Sequence, residues 1–130
     1  MDFLFNSEVK VPVRSNEVRS EMDIEAIIRK NGWPEYLLEM IKEACNFFDV
    51  SVESVLSREV GAEDVKNARR VAAYLLAKKY PGSQLGSHMV VELMNRRGSI
   101  FVDSCIYYVE GMLTAGNPEG LADFIKQQLA

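Results

Sequence analysis

The stretch AEDVKNARRVAAYLLAKKY, residues 62–80, constrains this chain more than any other. Val65, Ala68, Val71, Ala72, Leu75 and Leu76 recur at helical spacing. A helix gathers them into one continuous apolar stripe, whereas a strand would scatter them over both of its faces. Acids stand near its start and Lys78-Lys79 near its end, the order that complements a helix dipole. Pro81-Gly82 then ends the run. Such a stripe must be covered, and the same period in the flanking segments supplies the cover.

DIEAIIRKNG reads as a short helix with Asp23 as its N-cap and Gly32 after its end. Pro34 suits the first turn of PEYLLEMIKEACNFFDV, where Leu37, Ile41, Ala44, Cys45 and Phe48 share a face. Asp49-Val50-Ser51 closes that helix, and Ser51 caps the short helix VESVLS. SHMVVELMN turns Val90, Val91, Leu93 and Met94 inward. SIFVDSCIYYVEGML does the same with Val102, Cys105, Ile106, Val109, Met112 and Leu113. Asn117-Pro118 opens a last helix over 117–129, with Leu121, Phe124, Ile125 and Leu129 on one face. Residues 1–20 lack this period. Val9, Val11 and Val13 alternate with polar partners, but Pro12 restricts a strand there to an edge. The segment reads as an extended arm, mobile or clasping the body or a second copy. The expected fold is all-α: a single helical domain of about six helices over 21–130, preceded by that arm.

A chain of 130 residues is one domain, large enough for a core without a metal or disulfide staple. Cys45 and Cys105 lie inside apolar helical patterns with no CxxC or Cys/His neighbour, which predicts buried free thiols in a reducing compartment. No secretory pattern opens the chain, and no apolar run reaches the length of a membrane span. A cytoplasmic location with no membrane contact is expected. The formal charge of −4 hides an asymmetry. Between Arg58 and Arg97 there are eight basic and four acidic residues, against seven basic and fifteen acidic elsewhere. A polyanion would be steered to the middle of the chain and repelled from its flanks.

That middle segment, FFDVSVESVLSREVGAEDVKNARRVAAYLLAKKY, resembles the C-terminal DNA-binding domain of the bacterial replication initiator DnaA, a Trp-repressor-like helix-turn-helix fold. The resemblance is carried by Phe48, by Val50-Ser51-Val52-Glu53-Ser54-Val55-Leu56, by Ser57-Arg58, and by Ala68-Arg69-Arg70-Val71-Ala72-Ala73-Tyr74-Leu75. It implies a helix-turn-helix core over about 40–113, double-stranded DNA as partner, and a role in transcription regulation or DNA replication in a bacterium or phage. The chain departs from the family at two places. After Arg58 the basic loop runs Glu59-Val60-Gly61. Where the family reads approximately G-R-D-H-[ST]-T-V, this chain has Arg96-Arg97-Gly98-Ser99-Ile100-Phe101-Val102. The Asp-His-Thr set that reads bases is gone, so recognition of the initiator's own box is not expected. No G-x-x-x-x-G-K-[ST] loop occurs, so the chain carries no ATPase motor of that type.

The expected DNA face follows. Arg58, Arg69, Arg70, Arg96 and Arg97 would hold phosphates, with one of the adjacent pair Arg69-Arg70 pointing out and the other pairing with Asp64 or Glu63. Ser99 would cap the reading helix, and Ser99, Ile100, Ser104 and Tyr107 would face the groove. Ile100 and Phe101 meet thymine methyls if exposed and are ordinary core if not. Asp103 and Glu110 on the same helix oppose phosphates. His88, the single histidine, lacks partners at metal-ligand spacing and leaves no Ser–His or Cys–His pair. No enzyme, metal or cofactor is therefore expected. Helix-turn-helix readers commonly pair up to engage two half-sites, so a homodimer is expected. The acidic flanks offer a surface for that contact or for a protein partner. The competing reading keeps the fold but not the DNA face: a protein-interaction module engaging replication or transcription machinery.

Overall fold

The computed structural model describes residues 20–79, 92–94 and 99–130. Among them the chain is all-helical, with six helices and no strand: α1 (Glu21–Asn31), α2 (Tyr36–Phe48), α3 (Val52–Leu56), α4 (Glu63–Lys79), α5 (Ser99–Ala115) and α6 (Leu121–Leu129). None of these helices is long and apolar enough to cross a membrane. The expected arm lies almost wholly, at 1–19, outside the described residues, as do His88 and the turn at 95–98 on which the helix-turn-helix expectation rests.

Helix α4 is the axis of the domain. It packs most extensively against α2 on one side and α5 on the other, and also touches α3 and α6. The stripe anticipated from spacing is buried from Ala68 to Leu76, but burial goes further. Val71, Ala72, Ala73, Tyr74, Leu75 and Leu76 are all buried, so this stretch has no solvent side. A helix covered on several faces loses its amphipathic signature there. Leu37, Ile41, Ala44, Cys45 and Phe48 of α2 face it, together with Val55 and Leu56 of α3 and Val102, Cys105 and Val109 of α5. Leu93 and Met94 join the same core. Both cysteines are buried thiols that form no disulfide. Burial first, then Glu53 and Glu21, pushes the Cys45 thiol up to about 12 and keeps it protonated at neutral pH.

The helix ends refine the boundaries. Helix α1 begins one turn earlier than Asp23 suggested. Ser20 is the N-cap, its hydroxyl accepting from the Asp23 amide (3.2 Å) while the Asp23 carboxylate accepts from the Ser20 amide (2.8 Å). Asp23 is thus the third helical residue of a capping box, the role a carboxylate takes when a serine stands three places before it. Ser20→Ala removes one of these two bonds and is expected to cost about 1 kcal/mol, read as a lowered midpoint in urea unfolding. Pro34 precedes α2 rather than entering it, its carbonyl accepting from the Leu37 amide (3.3 Å). Ser51 caps α3, accepting from the Ser54 amide at 3.1 Å. At the end of the chain the helix starts at Leu121, not at Asn117. Gly120 adopts φ +86° immediately before it, and a left-handed residue there stops any helix from running through from Pro118.

Candidate nucleic-acid interface

Helix α5 shows solvent a face of unusual composition. With Val102, Cys105 and Val109 turned to the core, the opposite positions carry Ile100, Ser104 and Tyr107, spaced four and three residues apart and hence in register on one side. Ile100 is 80% and Tyr107 74% exposed, and Ser104 is exposed between them. Phe101 is half-buried and packs against the core. Tyr108 extends the face and meets Tyr107 edge-on, ring centroids 5.7 Å apart. Two acids share this helix. Asp103 is exposed, whereas Glu110 lies 4.0 Å from the Lys78 ammonium. Ser99, expected as a cap, is the first residue of α5 itself.

The expected phosphate ligands divide. Arg69 is not on the surface: it is 6% exposed and its guanidinium turns inward. Nε donates to the Val55 carbonyl (2.9 Å), Nη1 to that of Val60 (3.0 Å), and Nη2 to those of Ser54 (3.0 Å), Glu59 (3.0 Å) and Ser57 (3.4 Å). These oxygens are carbonyls at the end of α3 and along the loop that follows. One cation satisfies them together, with its charge at a helix C-terminus where a positive group is favoured. Arg69 is therefore withdrawn from the set of phosphate ligands. The reason was available in the spacing: it lies four residues after Val65 and three before Ala72, inside the apolar stripe.

Arg70 points the other way, yet not freely outward. Its Nη1 donates to Asn67 Oδ1 (3.0 Å) and lies 3.5 Å from a Glu63 oxygen, and the guanidinium stacks over the Tyr108 ring at 4.1 Å. Of the two acids expected as a partner for this arginine pair, Glu63 is the one engaged. Arg58, half-buried in the loop after α3, approaches the same region. Arg58, Lys66 and Arg70 line one shallow depression with Val60, Phe101 and Ser104, floored by Arg69 and Cys105. The loop after α3, the first half of α4 and the exposed side of α5 thus bring three cations beside Ser104. Lys66 and Tyr108 were not singled out from sequence. Their signals are simple: Lys66 precedes Arg70 by four residues and Tyr108 follows Ser104 by four, one helical turn in each case. Arg96 and Arg97 lie outside the described residues.

Among the described residues no group of His, Cys, Asp and Glu side chains is arranged to hold a metal ion. Chemically, this surface offers cations for an anion and, next to them, apolar and hydroxyl side chains on a helix. Comparison with known proteins finds no matching family model, no matching curated protein and no matching solved structure.

Proposed function

We propose that this protein binds double-stranded DNA, with α5 laid against a groove and the cations beside it on the sugar–phosphate backbone, as a regulator in transcription or replication. The observation that carries the reading is the convergence of Arg58, Lys66 and Arg70 on the flank of Ser104, where Ile100, Ser104 and Tyr107 project from one side of a helix. Phosphate contacts set position and carry no sequence information, whereas Ile100 suits thymine methyls and the hydroxyls of Ser104 and Tyr107 suit polar base edges. The resemblance to the DnaA DNA-binding domain agrees with this reading, as does the basic middle of an otherwise acidic chain. A homodimer would let two copies engage two half-sites.

A second reading is favoured by one observation. Ile100, Tyr107 and Tyr108 are large apolar side chains exposed on the same helix, a surface that also suits a protein partner. Salt separates the two. Two to three phosphate contacts give a slope of about −2 to −3 for log K against log salt, so a fourfold rise in salt weakens duplex binding roughly ten- to fortyfold. Fluorescence anisotropy with a random-sequence duplex measures this directly. No binding even at low ionic strength sinks the DNA reading and leaves the apolar face for a protein.

A further inference from the structure

Glu63 engages two of the three cations at once. One carboxylate oxygen lies 3.2 Å from Lys66 Nζ and the other 3.5 Å from Arg70 Nη1. We propose that Lys66 and Arg70 form a seat for a single phosphate group, and that the Glu63 carboxylate occupies it as an internal substitute until a nucleic-acid phosphate displaces it. The inference rests on the DNA-binding reading for the identity of the incoming group, a backbone phosphate of a duplex.

Three features support it. A carboxylate with its oxygens divided between two cations reproduces what two non-bridging phosphate oxygens would do, and guanidinium and ammonium groups accept either anion. The receiving side is braced: Arg70 is held by Asn67 Oδ1 at 3.0 Å and by the Tyr108 ring at 4.1 Å, so it keeps its place when the carboxylate leaves. The occupant is the movable member. The Glu63 side chain is 66% exposed while those of both cations are partly buried, and exposed ion pairs of this kind are weak and easily exchanged.

The test uses the full-length protein and its Glu63→Gln variant, with inorganic phosphate as the probe. Nuclear magnetic resonance follows the Arg70 Nε and Lys66 side-chain signals while phosphate is added. Both signals are expected to move, saturating at about fivefold lower phosphate in Glu63→Gln, because one competing charge is gone. In parallel, duplex affinity of the variant is expected to rise about fivefold at a similar salt slope, because the same phosphate is seated in both proteins. Should phosphate move neither signal, or should both proteins titrate alike, the seat is overturned even where both bind duplex. Conversely, tightened phosphate binding without any duplex binding at low salt keeps the seat and removes DNA as its ligand.

Discussion

Arg69→Ala is expected to lower the unfolding free energy by about 3–4 kcal/mol, more than an exposed arginine contributes to any fold. The side chain is buried and donates to five main-chain carbonyls, those of Ser54, Val55, Ser57, Glu59 and Val60. Truncation leaves these oxygens without this partner, the Val55 bond lying in a buried position and the other four in partly buried ones, and an unsatisfied buried group costs on the order of 1–3 kcal/mol. Relaxation of the loop recovers part of that cost, which is why the expected loss is smaller than the sum. A five-residue helix such as α3 has no stability of its own, so the damage should centre there. Arg69→Lys supplies charge but cannot span the carbonyl fan, and about half the loss is expected. Urea unfolding measures the first effect, and hydrogen exchange at residues 52–62 locates it. A loss below 1 kcal/mol would show that the loop is held in some other way.

The double reversal Arg58→Glu with Lys66→Glu is expected to weaken duplex binding at least a hundredfold at moderate salt. Two attractive contacts become two repulsive ones beside the backbone, and the salt slope should flatten by about 2 as the corresponding counterions are no longer released. Both residues are partly exposed, so circular dichroism should still show the parent's helical content, and the affinities are compared below the melting temperature of both proteins. This separates an interface effect from the collapse expected at Arg69. Unchanged affinity in the double variant would place the duplex on some other surface.

How far the molecule was legible before its coordinates depended on whether the relevant physics is local. The helical period of residues 62–80 predicts α4, and Gly32, Ser51 and Asp49 mark ends that the structure also has. Caps are read less securely because adjacent polar residues compete. Asp23 looks like a cap until Ser20 is seen to take that position with Asp23 as its reciprocal partner. Pro118 looks like a first helical residue until the positive φ of Gly120 breaks the path. The adjacent arginines are the clearest case. Both are basic and mid-helix, and composition cannot tell them apart, but a rotation of one residue sends Arg69 to the end of α3 and Arg70 to Tyr108. The meeting of Arg58, Lys66, Arg70 and Ser104 was out of reach of periodicity alone, because it depends on how α3, α4 and α5 cross. The exposure of Ile100 was likewise undecided: an isoleucine near a helix start suits core or groove equally until its neighbours are placed.

The bonds that Arg69 makes have a consequence for how such a chain can diverge. Each of these five acceptors is a main-chain oxygen, and every residue type brings one. The exposed side chains of Glu59 and Val60 take no part in these five bonds, whereas the Ser57 hydroxyl helps to shape the loop by accepting from the Glu59 amide at 3.1 Å. Substitutions at Glu59 and Val60 can accumulate, changing what the loop offers a ligand, while its path stays the same. A single inward-facing arginine thus separates the shape of a binding edge from its spelling.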